Sequence, residues 1–324
     1  MCNCLKKFFI DYTYKNSNLK DKFKLENFDT FTKWEKKKII SSDLVSELLT
    51  DEKIVNFIKD SMTNLEIMSL ARYDSSNPII LDSLFSFTDQ DLSPLLNNSY
   101  DLGQFFSSLK YFSKDVQEKF MNNNLDFFEK LFDSFSFRLS VRSMDTQMLM
   151  MIFNKVGTYE QFKNYANDLS SDVQLKLFDM YKDNIYSDTQ NNFLDIAGKI
   201  KDPDYQAQFI KNSPFYANLS SSNRFSSLLS NLKNKDFILE LINDSDIYEI
   251  LVNASSAFKN FISLLSNDEQ QEYKHIAKDK IIENIKNNDF SSFTIGNYIE
   301  GFNENIQHEL LYDNEIVNSF SFSE

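Results

Sequence analysis

The stretch 169–210 reads LSSDVQLKLFDMYKDNIYSDTQNNFLDIAGKIKDPDYQAQFI, and one short phrase recurs in it at an even step: Asp172-Val173-Gln174, Asp188-Thr189-Gln190 and Asp204-Tyr205-Gln206. Each phrase marks a switch from polar to apolar, with Ser171, Ser187 or Pro203 just before the acid. Ser171 stands three residues before Gln174 and Ser187 three before Gln190, the spacing of a capping box. Asp172 and Asp188 then fall in a first turn, where a carboxylate meets the positive end of the helix dipole. Pro203 suits the first helical position, because it has no N–H to leave unpaired. Behind the caps, Val173, Leu177, Met180 and Tyr181 share one helical side, as do Phe193, Ile196, Ala197 and Ile200. Each stripe needs a neighbour to cover it.

The phrase recurs outside this stretch, at Asp115-Val116-Gln117, Asp145-Thr146-Gln147, Asp268-Glu269-Gln270 and Asn305-Ile306-Gln307. The steps between these are uneven, although the interval from Asp204 to Asp268 is four times that from Asp172 to Asp188. Self-similarity of this kind predicts an all-α fold of antiparallel helical hairpins, stacked as an irregular α-solenoid in which each unit covers its neighbour's apolar face. The tetratricopeptide and ankyrin signatures do not occur. In architecture alone the pattern resembles HEAT-like helical repeats, without their characteristic residues.

Five glycines and four prolines in 324 residues are few for a strand-rich fold or a phosphate-cradling loop. Phenylalanine (32) and tyrosine (15) supply much of the core volume, beside a single tryptophan, Trp34. The net charge of −14 and pI near 4.7 disfavour nucleic acid, whose binding depends on neutralising phosphates. The charge is divided unevenly. Residues 1–40 hold ten lysines against five acids, so residues 41–324 carry −19. The sequence therefore divides into a basic N-terminal segment or set of capping helices, 1–40, and an acidic helical body, 41–324. Asp74-Ser75-Ser76-Asn77-Pro78 is the strongest breaker in that body and a candidate sub-boundary.

The basic segment begins MCNCLKKFFI, with an apolar run too short for a secretory core. No apolar run approaches the length of a membrane span; 148–153 is the longest. An intracellular, cytoplasmic protein is expected. Cys2 and Cys4 beside Lys6, Lys7, Phe8 and Phe9 form a candidate lipidation and membrane-contact or partner-contact site, since acyl chains plus a basic patch make a stable anchor. Leu5, Phe8, Phe9 and Tyr12 equally fit a first helix facing a core.

Chemistry-bearing constellations are sparse. Glu272 and His275 stand one turn apart, but a helical di-iron site needs that pair twice with two further glutamates. Asp244-Ser245-Asp246 opens like a calcium loop, yet Glu249 occupies the position where the turn needs glycine. There is no nucleophile elbow or P-loop, and no catalytic, cofactor or metal residues are assigned. Arg138 and Arg142, one turn apart, are expected to bridge acids of adjacent units. The remaining expectation is a non-enzymatic scaffold or adaptor that binds a basic protein. Its alternatives are a peripheral membrane protein held by the N-terminus and a metal-dependent or hydrolytic helical enzyme.

Overall fold

A polar residue able to accept backbone N–H groups precedes most apolar runs, and there the helices begin. The computed structural model describes residues 25–41, 45–287 and 292–321, and among these the regular structure is helical throughout, with no strand. The chain divides into two compact units, one ending at Met151 and the other starting at Ile152.

In the first unit, Thr32 with Glu35 and Thr63 with Glu66 make reciprocal capping boxes, while Asp51, Asn77, Asn98 and Ser113 cap with one side chain each. The Asp74 to Pro78 breaker lies within this unit. There Asn77 accepts the Ile79 N–H at 3.0 Å and Pro78 takes the first position of the Pro78–Phe85 helix. That helix packs on Asn64–Met68. The core is a run of phenyl rings, with Phe87, Phe105, Phe106, Phe120, Phe127 and Phe128 at centroid separations of 5.2 to 6.3 Å, mostly edge to face. Edge-to-face packing suits the ring quadrupole. Of the dense apolar cluster after Asn124, Phe127, Phe128, Leu131 and Phe132 are buried and Leu125 faces solvent.

The second unit shows what the recurring phrase encodes. Its helices Ser171–Met180, Pro203–Lys211, Lys235–Leu241 and Asn267–Lys286 start at equal intervals, each twice the step read from the sequence. Asp188-Thr189-Gln190 sits midway between two such starts, at the head of the intervening Gln190–Ala197 helix. Asp172, Asp204, Asp236 and Asp268 each occupy the second position of their helix.

The expected capping boxes are not formed. The residue capping Ser171–Met180 is Ser170, and its side chain makes no capping bond. Thr189, not Ser187, caps Gln190–Ala197, and Asp188 lies ahead of that helix. Ser266 and Glu269 make the box on the longest helix, one residue ahead of the Asp268-Glu269-Gln270 phrase's glutamine. The physical reason is register. Gln174, Gln206 and Gln270 stand fourth in their helices, one residue too far in to reach back to the cap, and that position faces the core. A buried carboxamide must be satisfied there, and each one is.

Gln174 Nε2 donates to the carbonyls of Ala166 and Lys199 at 2.8 and 2.7 Å, and its Oε1 accepts the Lys201 N–H at 2.8 Å. Gln206 repeats this with Ala197, Asn231 and the Lys233 N–H, at 3.1, 3.2 and 3.1 Å. Gln270 donates to Ile262 and Leu265 and accepts the Asn303 N–H at 2.8 Å. Each amide thus ties the loop before its helix to the loop before the next. At the equivalent fourth position of Lys235–Leu241, Ile238 stands buried in place of a glutamine, and Asn260 Nδ2 holds Leu229 O and Leu232 O at 3.0 and 2.7 Å.

The intervening helices pack in succession, Gln190–Ala197 on Phe225–Leu229, that on Ser255–Ser263, and that on Ser292–Glu300. Phe193, Ile196, Ala197 and Ile200 are buried as expected, and so are Val173, Leu177 and Tyr181, but Met180 is exposed and Phe178 takes the inner place. Gly301 lies so close to Ser255–Ser263 that a Cβ would fall 2.7 Å from Lys259 O.

Candidate interaction surface

The glutamine bonds bring helix starts together. Gln174 on Lys201 sets the first turn of Ser171–Met180 beside that of Pro203–Lys211, and Gln206 on Lys233 does the same for Lys235–Leu241. Asn234 Nδ2 reaches Asp204 at 2.8 Å, and Lys235 Nζ reaches Glu269 at 2.9 Å, adding the Asn267–Lys286 start to the row. The exposed carboxylates Asp172, Asp204, Asp236 and Asp268 therefore form an edge, one per helix. Exposed Glu272 and Asp279 extend it along the longest helix.

Many lysines of this unit are turned to internal work. Lys199 and Lys233 donate to the carbonyls of Lys163 and Ile200 at 2.8 and 2.6 Å, and Lys201 donates to Leu169 O. Partial burial, with the Lys201 charge nearby, holds the Lys233 ammonium below its usual pKa. Lys211 pairs with Glu240, Lys259 with Glu300, Lys274 with Glu309, and Lys278 with Asp313 and Glu315. By contrast, Asp172, Asp236, Asp246, Glu249, Asp268, Glu272 and Asp279 enter no ion pair among the described residues.

Three carboxylates show how the pairs act. The Lys235 hydrogen bond, then those from Ser266, pull Glu269 from 4.5 to about 2. Glu240 is lowered chiefly by its hydrogen bond from Lys211. Burial pushes Asp188 up, but hydrogen bonds from Asn192, Thr189 and Tyr159 and the Lys163 charge outweigh it and leave it low. Burial, and then the bond to Asp188, raises the Tyr159 hydroxyl well above its usual range.

Two shallow grooves adjoin one another. Ser226, Asp246, Glu249, Ile250, Asn253 and Ala254 line one of about 460 Å³, and Ser226, Ser227, Ser230, Ala254, Ser255 and Ser256 line the other, of about 490 Å³. Their walls carry hydroxyls, an amide and two carboxylates, with no histidine or cysteine to pair with a nucleophile. Asp244, read as a loop opener, caps Ser245–Asn253 by accepting from the N–H groups of Asp246 and Ile247. Glu272 and His275 are both exposed, and among the described residues no group of three potential metal ligands is found. Arg138 and Arg142 are exposed in the first unit. Cys2, Cys4, Lys6, Lys7, Phe8 and Phe9 lie outside the described residues. No helix among those described is long and apolar enough to cross a membrane.

The acidic edge escapes the sequence reading because Asp236 is followed by Phe237-Ile238 and breaks the three-residue phrase. An acid recurring at every second step of the phrase is the signal that could have found it. No family model, no curated protein and no solved structure compared with the chain matches it.

Proposed function

We propose that the second unit is a stack of helical hairpins, solenoid-like in construction, that serves as a non-enzymatic scaffold and binds a basic protein along its acidic edge. The observation that carries this reading is the partition of charge. Lysines are bonded to backbone carbonyls and to carboxylates farther along the chain, while Asp172, Asp204, Asp236 and Asp268 recur at equivalent exposed positions. A row of one sign steers an oppositely charged partner and fixes its register. The regular interval of helix starts and the glutamine ties support the stacked construction.

The test is a fluorescence-anisotropy titration of the full chain with a lysine- and arginine-rich peptide. Binding is expected to weaken by about tenfold or more as salt rises from about 50 to about 300 mM, because the Debye length contracts. Changing Asp172, Asp204, Asp236 and Asp268 together to Asn should remove most of it. Equal binding by that variant overturns the reading. Binding of anionic vesicles in place of the peptide would favour attachment through the basic N-terminus instead.

A further inference from the structure

Gln117 is the fourth residue of Lys114–Asn123, the place that Gln174, Gln206 and Gln270 hold in their helices. Its Nε2 donates to Phe112 O at 2.8 Å, as theirs donate to the loop before. The residue is 4% exposed, yet its Oε1 has no hydrogen-bond partner. An acceptor buried without a donor is rare in folded proteins, because it has given up water and gained nothing.

The register identifies the missing donor. Gln174 and Gln206 accept the N–H groups of Lys201 and Lys233, each of which stands two before the next helix start. The residue at the same distance from Gln117 is Met144, two before the helix that begins at Thr146. The interval from Lys114 to Thr146 equals that from Ser171 to Pro203, so the two pairs of helix starts share one register. Met144 is thus the counterpart of Lys201 and Lys233. Its N–H is instead held at 3.4 Å by Val141 O, closing the short Val141–Ser143 turn with a long bond.

We propose that residues 141–144 are a strap with a second, closed position, in which the Met144 N–H leaves Val141 O and is donated to Gln117 Oε1. The exchange replaces a long bond with one to an orphaned acceptor. It draws the first turn of the helix at Thr146 toward Lys114–Asn123, completing in the first unit the tie that Gln174 and Gln206 make in the second. The inference concerns the first unit alone and does not depend on the binding reading.

Amide hydrogen exchange of the full chain, resolved at single residues, tests it. If the strap closes, the Met144 amide exchanges slowly, within about tenfold of Lys201 and Lys233. Gln117→Leu then accelerates Met144 at least about tenfold and leaves Lys201 and Lys233 unchanged. Should Gln117→Leu fail to fold, Gln117→Met keeps the volume and removes the acceptor. A through-bond coupling between the Met144 nitrogen and the Gln117 side-chain carbonyl carbon in the unmodified chain gives the same answer without a variant. A Met144 amide that exchanges rapidly in the unmodified chain, or one indifferent to both variants, overturns the proposal and leaves a water as the partner of Gln117 Oε1.

Discussion

Gln206 is 1% exposed and bonded to the carbonyls of Ala197, at the end of Gln190–Ala197, and of Asn231, and to the N–H of Lys233. Replacing it with leucine takes this partner from Asn231 O and the Lys233 N–H, while Ala197 O keeps the Ile200 N–H at 3.2 Å. Each unsatisfied group costs about 1–3 kcal/mol, partly offset by the apolar side chain, so Gln206→Leu should cost about 2–4 kcal/mol in urea unfolding. Gln190 carries the same phrase but stands first in its helix, half-exposed, bonded to Asn218 O at 2.6 Å. Gln190→Leu should cost under about 0.5 kcal/mol. Equal costs for the two would show that the buried ties do not hold the loops. The sequence displays both glutamines in the same words, since the phrase records position near a helix start. It does not record whether the glutamine stands first or fourth, and only the fourth turns inward.

At the scale of elements, the pairs between successive helices make the acid limb of stability specific. Glu269 is ionised in the folded state down to about pH 2, against 4.5 for an ordinary glutamate, so its contribution is complete above pH 4.5 and fades as the pH falls toward 2. Lys235→Met should raise Glu269 part of the way toward the ordinary range, the Ser266 hydrogen bonds holding the rest of the shift, read by its side-chain NMR titration. A Glu269 still near 2 in that variant would assign the shift to Ser266 alone.

A close approach gives a second test at this scale. Gly301→Ala places a methyl 2.7 Å from Lys259 O and 3.1 Å from Ile262 Cβ, and should cost about 1–3 kcal/mol because the loop must back away from Ser255–Ser263. An unchanged midpoint would mean that the loop yields freely. Helix class and most stripes were legible from spacing alone. Met180 and Phe178 exchanged roles because both stand near the edge of one apolar stripe, and the neighbours that decide between them, Phe162 and Phe209, belong to other helices.

For the molecule as a whole, the acidic composition was plain in the sequence. Its arrangement was not, because which lysines are engaged depends on carbonyls far along the chain, such as Leu169 O for Lys201 and Ile200 O for Lys233. We propose that the helix pairs starting at Ser171, Pro203 and Lys235 are joined in succession by buried Gln174 and Gln206, so that a local cut stays local. Residue-resolved hydrogen exchange on Gln206→Leu separates a local from a global loss. Exchange should quicken at Ala197 to Ile200 and Asn231 to Lys233, with the Asn303 amide on Gln270 as slow as before. Uniform acceleration across the second unit, with Asn303 rising in step, would contradict it.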